Sequence, residues 1–98
     1  MAGTETGTLN KVEVKEPSMF NVIFMNDDVT SQQFVTQVLV EVFGHDNITA
    51  EELMRTVHQD GSAVVATLPF EIAEQKSYET LNMAYVSGFP LVVKLEEE

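Results

Sequence analysis

The sequence predicts an α+β domain in which a three-stranded antiparallel sheet packs on three helices, in the order β-α-α-β-α-β. Three short runs rich in apolar and β-branched residues have the length of strands. Three longer segments place apolar residues on one helical face, and each ends at a glycine. Three strands are too few to be covered on both faces by three helices, so the helices are expected on one side of the sheet.

The first strand and the first helix lie on either side of a short polar loop. Residues 19–25 form the predicted strand. Thr30 and Gln33 have the spacing of a capping box, which predicts that a helix starts near Ser31. Gly44 is predicted to end this helix, and its apolar face is expected to consist of Phe34, Val35, Val38, Leu39 and Val42.

The second helix follows a short turn that contains His45, which we expect to be solvated. Thr49 and Glu52 repeat the capping-box spacing, so this helix is predicted from about Ala50 to Asp60. Its apolar positions are Leu53, Met54 and Val57, and Gly61 is predicted to stop it.

The last part of the domain is predicted to form a strand, a helix and a strand. Residues 63–66 are the short second strand, and Pro69 suits the first turn of the third helix. Gly88 stops that helix, and residues 91–95 form the last strand. The expected buried stripe of the third helix is Phe70, Ala73, Leu81, Ala84 and Tyr85.

Length and composition limit the class of protein. With 98 residues the chain forms one small domain, which we place at residues 17–98, after a flexible N-terminal extension at residues 1–16. Five Lys and Arg against 16 Asp and Glu give a net charge of −11, which makes nucleic acid and anionic membranes unfavourable partners. The chain has no cysteine and no apolar run of about 20 residues. We therefore expect a soluble monomer in the cytoplasm, or in a stroma-like organellar compartment if the chain is processed.

The loop after the first strand carries the most informative residues. Asn26, Asp27 and Asp28 place an amide and two carboxylates side by side. Such a group of acceptors suits a cation with several N–H donors, for example an ammonium. The same residues are also common turn formers that precede helices, and that interpretation stays open at this point.

Histidine 58 is the second candidate. It lies in the last turn of the predicted second helix, where a histidine interacts favourably with the helix dipole. Because Met54 and Val57 are apolar, its ring is also placed to sit at the rim of a small pocket and to join an ammonium-binding network.

Two alternatives use the same polar residues. Asp27, Asp28 and His58 are also compatible with a small hydrolase or a metal site, although no EF-hand or zinc spacing, phosphate loop or cysteine nucleophile supports either. A docking domain that binds a partner helix, and no N-terminus, is a third option. It predicts that replacing Asp27 with alanine has no effect on binding.

Several separated motifs resemble the ClpS family. They are residues 17–23, the loop 26–30, the pair Val57-His58, residues 72–76 and the pair Pro90-Leu91. The similarity runs from about residue 17 to residue 97.

The resemblance implies a non-enzymatic adaptor without a cofactor or a metal. Such adaptors bind proteins whose first residue is Leu, Phe, Tyr or Trp and deliver them to the Clp AAA+ protease. The fold would be similar to the C-terminal domain of the ribosomal stalk protein.

The resemblance also implies roles for individual residues. Asn26, Asp27 and His58 would hold the ammonium of the bound N-terminus. The loop and the side-chain pocket would include Asp28, Thr30, Gln32, Val35, Met54, Val57 and Leu91. Glu71 and Lys76 would contact the N-terminal domain of the ATPase, ClpA or ClpC. Gln32 departs from the family, which usually has methionine there, and we expect the preference among first residues to shift.

Overall fold

The computed structural model describes residues 17–98, and its elements have the predicted type and order. The extension predicted for residues 1–16 lies outside the described residues. The elements are β1 (Met19–Met25), α1 (Gln32–Glu41), α2 (Asn47–Asp60), β2 (Ser62–Pro69), α3 (Phe70–Ser87) and β3 (Val92–Glu97).

Strand β1 lies in the middle of the sheet and pairs antiparallel with both β2 and β3. Its Val22 and Phe24 side chains are 0% exposed and form the centre of the core. The opposite face of the sheet carries Val64 and Val92, which are 47% and 50% exposed. The helices therefore cover one face only, and the predicted fold class is confirmed. In the described part of the chain, no helix combines the length and apolar character that crossing a bilayer requires.

A β-bulge in β2 explains why His45 is not solvated. The register between β1 and β2 shifts between Val22 and Ile23, which makes Val65 the extra residue of β2. The Val65 carbonyl accepts a hydrogen bond of 2.7 Å from Nε2 of His45, whose ring is half-buried. The prediction of a solvated His45 was wrong because the bulge leaves a carbonyl that needs a donor from outside the sheet.

The first two helices are capped by residues other than the predicted ones. The N-cap of α1 is Ser31, whose Oγ accepts from the N–H of Phe34 at 3.0 Å. The hydroxyl of Thr30 donates to the carboxylate of Asp27 instead. The N-cap of α2 is Asp46, so that helix begins at Asn47, three residues earlier than predicted.

The ends of the strands also differ from the prediction. Strand β2 continues to Pro69, well past the predicted residues 63–66, and β3 covers Val92–Glu97 where 91–95 was predicted. Pro69 has extended backbone angles (φ −56°, ψ 150°) and precedes the first residue of α3. It therefore ends the strand rather than occupying the first helical turn.

Helix α3 buries a different stripe from the one predicted. Its buried residues are Ala73, Ser77, Thr80 and Ala84. By contrast, Phe70, Leu81 and Tyr85 are 42%, 40% and 83% exposed. Ala73 and Ala84 were predicted correctly, but the large residues were not, because small side chains let the helix lie close against the sheet.

Two contacts connect α1 with α3 and with the residue that follows α3. The Lys76 ammonium donates to the carbonyl of Val42, the C-cap of α1, at 2.9 Å. After the other end of α3, the Phe89 ring lies 5.1 Å from the ring of Phe34 in the first turn of α1. The end of α3 is therefore held beside the start of α1.

We expect Ser77→Ala to stabilise the protein. The Oγ of Ser77 is buried without a hydrogen-bond partner among the described residues. Removing it eliminates an unsatisfied polar atom and improves helix propensity, for a gain of about 1 kcal/mol. Urea unfolding of both proteins measures the difference. A loss of stability would mean that the hydroxyl has a partner, for example a buried water.

Candidate functional site

The loop of residues 26–30 is fixed to the end of helix α2 by one backbone hydrogen bond. The N–H of Asn26 donates to the carbonyl of Gly61 at 2.9 Å. Gly61 is the C-cap of α2 and has φ +94°, a left-handed conformation that favours glycine. Its own N–H donates to the carbonyl of Val57. The last turn of α2 and the start of the loop are therefore held together.

The Asp27 carboxylate organises the loop through three hydrogen bonds. Its Oδ1 accepts from the N–H of Val29 at 2.8 Å and from the N–H of Thr30 at 2.7 Å. Its Oδ2 accepts from the hydroxyl of Thr30 at 2.7 Å. A carboxylate offers about four acceptor positions, so one position on Oδ2 remains for a ligand.

These bonds keep Asp27 ionised. Burial raises the pKa of the Asp27 carboxyl, but hydrogen bonds from Thr30 and Val29 outweigh that effect and hold the pKa below its usual 3.8. The dipoles of two helices also contribute to the electrostatic potential at Asp27. The N-terminus of α1, at Ser31, is partly positive and favours the carboxylate, whereas the C-terminus of α2 is partly negative and favours a bound cation.

The lowered pKa predicts a pH dependence of folding. A carboxyl whose pKa is lower in the folded state contributes stability above its unfolded pKa, and this contribution is lost as pH falls through the folded pKa. We therefore expect the stability difference between wild type and Asp27→Asn to be constant down to about pH 5 and to shrink below about pH 4. Urea titrations of both proteins at several pH values measure it. A difference that does not change at about pH 3 would contradict the prediction.

The other predicted polar residues are open to solvent. Asn26 and Asp28 are exposed neighbours in the loop, and His58 is exposed on the last turn of α2. His58 precedes by three residues the Gly61 carbonyl that Asn26 contacts. The structure thus brings the loop and the histidine-bearing turn to the same end of the molecule.

The predicted side-chain pocket divides into a buried part and an accessible part. Val35, Val57 and Leu91 are 5%, 3% and 5% exposed and belong to the core. Met54 is half-buried against that core, and Gln32 is exposed as the first residue of α1. A ligand can therefore reach Met54 and Gln32, whereas the other three residues are covered by the core.

The geometry does not favour the metal alternative. Among residues 17–98, no three His, Asp or Glu side chains come together in an arrangement that could hold a metal ion. Asp27, Asp28 and His58 therefore do not form a ligand group.

A groove at the opposite end of the molecule accompanies one of the predicted ATPase contacts. It encloses about 450 Å³ and is lined by Pro17, Ser18, Pro69, Phe70, Glu71 and Ile72. Pro69 pairs with Met19 at the start of β1, whereas Asn26 follows the end of that strand. At about 3.3 Å per residue, the groove and the loop lie roughly 20 Å apart.

Lys76, the second predicted ATPase contact, already has an internal partner. Its Nζ donates to the carbonyl of Val42 and the residue is half-buried. An ammonium has three N–H groups, so it retains donors for an outside contact. Part of its role is nevertheless to provide a hydrogen-bond donor for the Val42 carbonyl at the end of α1.

Sequence reasoning named the polar residues of the candidate site but missed some of the bonds that hold them. It assigned Gly61 only a helix-stopping role, although Gly61 also accepts the hydrogen bond from Asn26. The capping-box spacing assigned Thr30 to a helix cap, whereas the family resemblance implied that Thr30 helps to order the loop; its hydroxyl donates to Asp27. The Asp-x-x-Thr spacing is the one signal that indicated this local contact.

Comparison with known proteins gives matches to one family. Residues 15–94 match the family model described as "ATP-dependent Clp protease adaptor protein ClpS". A ClpS adapter protein of Campylobacter jejuni is 36% identical over 94 residues, which are 96% of this chain and 98% of that protein. One of Desulfotalea psychrophila is 37% identical over 97% of this chain and 93% of its own length.

A solved structure is similar over the described domain. ClpS2 of Agrobacterium tumefaciens, bound to L-phenylalaninamide, superposes with a TM-score of 0.81 at 40% sequence identity. The match covers 85% of this chain and 100% of that one. Its ligand combines a free amino group with a bulky hydrophobic side chain.

Proposed function

Because this chain belongs to the ClpS family of non-catalytic adaptors of the Clp protease, we propose that it binds polypeptides by their free N-terminal residue. The preferred first residues would be Leu, Phe, Tyr and Trp, and the bound proteins would be delivered to a Clp AAA+ ATPase–peptidase. The cytoplasmic location stays a prediction.

The state of Asp27 is the observation that carries this proposal. The carboxylate is ionised and held in place by three hydrogen bonds, and Oδ2 keeps one free acceptor position. An ammonium has three N–H groups to place. We propose that Asp27 Oδ2, the Asn26 side-chain oxygen and a ring nitrogen of His58 receive them. Thr30 acts by positioning Asp27, and the exposed Asp28 contributes long-range attraction.

The side chain of the first residue is proposed to enter between α1 and α2. Val35, Val57 and Leu91 would form the apolar floor, with Met54 and Gln32 at the rim. The phenylalaninamide bound by the similar A. tumefaciens protein has the two groups that this arrangement would recognise.

The magnitudes suit an adaptor that must release its cargo. Two or three charge-assisted hydrogen bonds contribute roughly 1.5–3 kcal/mol each, and burying a leucine adds roughly 2 kcal/mol. Association costs at least about 4 kcal/mol, which leaves a dissociation constant near micromolar or weaker. An acetylated N-terminus cannot replace the ammonium and would leave Asp27 without a partner.

Fluorescence anisotropy with a Phe-initiated peptide and its N-acetylated twin tests this function. We expect the free amine to bind at about micromolar concentration and the acetylated peptide to bind at least about 30-fold more weakly. Equal binding of the two would overturn the proposal. Failure of Leu, Phe, Tyr and Trp peptides alike would also overturn it.

Docking on the N-terminal domain of a Clp ATPase, ClpA or ClpC, is proposed for the other end of the domain. Glu71 is exposed beside the apolar groove, so a cation of the ATPase can pair with it while an apolar side chain fills the groove. Lys76 would use its remaining donors. We expect Glu71→Lys to weaken ATPase binding, as measured by co-sedimentation, and to leave peptide anisotropy unchanged.

Gln32 is proposed to set the preference among first residues. It is exposed at the start of α1 and brings a polar amide to the rim, where the family usually has methionine. We expect Gln32→Met to change the relative affinities for Leu, Ile, Phe and Trp peptides by about 3- to 10-fold, with the requirement for a free amine retained. Anisotropy with the four peptides measures this. Identical preference orders and affinity ratios would contradict the prediction.

A further inference from the structure

Helix α3 presents a row of large apolar side chains to solvent. Tyr78, Leu81 and Tyr85 are 71%, 40% and 83% exposed, and they follow one another at spacings of three and four residues. This spacing places them on one line along the helix, as in the contact line of a coiled coil. We call these three residues the α3 seam.

Small residues occupy the inward side of the helix, so the large residues of the α3 seam face solvent. Ala73, Ser77, Thr80 and Ala84 fill the space against the sheet. Single exposed apolar residues are ordinary, but two tyrosines and a leucine in one line are typical of a protein interface.

Acidic residues extend the same line toward the start of α3. Glu71 and Glu74 continue the alternating three- and four-residue spacing, and both are exposed. The cations in residues 17–98 do not neutralise them. Arg55 and Lys94 belong to α2 and β3, and Lys76 donates to Val42. The line is therefore apolar in its second half and negative in its first half.

We propose that the α3 seam docks a basic amphipathic helix of a partner protein. The partner's apolar residues would repeat at spacings of three and four and contact Tyr78, Leu81 and Tyr85. Its Lys or Arg residues would lie at the end that meets Glu71 and Glu74. This interaction does not depend on recognition of a peptide N-terminus. Because Glu71 is also the proposed ATPase contact, the basic helix and the ATPase would compete for that carboxylate, whereas Glu74 and the α3 seam would belong to the helix alone.

Charge argues against a second copy of this chain as the occupant. Each copy carries a net charge of −11, so two copies repel each other. A partner with positive charge gains from the features that oppose self-association.

The composition of the chain provides a specific reporter. Its two tyrosines are Tyr78 and Tyr85, and it has no tryptophan. Labelling with 3-fluorotyrosine therefore gives two ¹⁹F resonances, both from the α3 seam. The probe is a synthetic helix with leucines at spacings of three and four and lysines in its terminal turn. A peptide of the same composition with scrambled leucines is its control.

We expect both ¹⁹F resonances to shift with the patterned peptide and to stay in place with the scrambled one. Leu81→Ser should weaken binding at least about 10-fold while keeping both reporters. Val86→Ser is the matched control because Val86 is 78% exposed but lies off the line, and it should change binding less than about 2-fold. If Leu81→Ser unfolds, Tyr85→Ser with the Tyr78 resonance gives the same test.

Four results would overturn the proposal. The first is that neither resonance shifts up to about 1 mM peptide. The second is that the scrambled peptide causes the same shifts, which would indicate charge attraction alone. The third is that the resonances depend on protein concentration without peptide, which would indicate a second copy. The fourth is that a Phe-initiated peptide shifts them, which would assign this face to N-terminal recognition.

Discussion

Asp27→Asn is expected to weaken binding of a Phe-initiated peptide by about 30- to 100-fold, or about 2–2.7 kcal/mol. The amide oxygen of asparagine can still accept from the N–H groups of Val29 and Thr30, which now bond to Oδ1. Its NH₂ group can donate to the Thr30 hydroxyl, which reverses the direction of the third bond. The loop is therefore retained and the negative charge is lost.

The neighbouring Asp28 provides a matched control. Asp28→Asn removes the same charge one residue away, but from an exposed side chain. We expect it to change affinity by less than about 3-fold at physiological salt. Anisotropy with the free and acetylated peptides measures both variants. If Asp28→Asn has the larger effect, the cation is held by a different carboxylate from the one that we propose.

Phe24→Ala is expected to cost about 3–5 kcal/mol of folding stability. The Phe24 side chain is 0% exposed at the centre of the core, and its ring meets that of Phe43 edge-on at 5.7 Å. The substitution removes buried apolar surface and leaves a cavity that the middle strand of the sheet cannot close. Small domains are stable by only about 5–15 kcal/mol, so one such change removes a large part of the free energy of unfolding.

Urea unfolding measures the effect of Phe24→Ala, with Phe70→Ala as the matched control. Phe70 is also a phenylalanine that contacts another ring, that of Phe20 at 5.0 Å, but it is 42% exposed. We expect a loss for Phe70→Ala of less than about half of that for Phe24→Ala. Phe24→Leu keeps most of the volume and serves where the alanine variant does not fold. Equal losses at positions 24 and 70 would show that burial does not determine the cost.

The fold could be predicted because its local signals agree with one another. Gly61 and Gly88 both end helices in left-handed conformations, as their positions after apolar periodic segments indicate. The caps were less predictable, because Thr30 and Ser31 are both good N-cap residues. The choice between them depends on the carboxylate of Asp27, which competes for the Thr30 hydroxyl.

The inward face of α3 could not be predicted from hydrophobicity. The apolar pattern favours Leu81 and Tyr85, whereas the buried residues include Ser77 and Thr80. The space available between the helix and the sheet determines which α3 residues face inward. That space depends on the side chains of other elements, so the α3 sequence alone does not indicate it. Thr80 is tolerated there because its hydroxyl donates to the carbonyl of Lys76.

The candidate site was predictable in its residue types and not in its bonding. Adjacent carboxylates indicate a cation site, but their sequence does not tell which of the two is fixed. Asp27 is fixed because the backbone turns so that two N–H groups point at its Oδ1. The bond from Asn26 to Gly61 joins distant parts of the chain and has no local signal.

Strand β1 separates the end at which we propose cargo binding from the end at which we propose ATPase docking, and this has a consequence for how the protein can change. Pro69, beside the groove, pairs with the first residue of β1, and Asn26 follows its last residue. Substitutions more than about 7–10 Å apart without shared partners contribute additively to free energy. Gln32→Met and Glu71→Lys should therefore combine without interaction energy. On these proposals, cargo preference and ATPase choice can evolve as independent traits of one small domain.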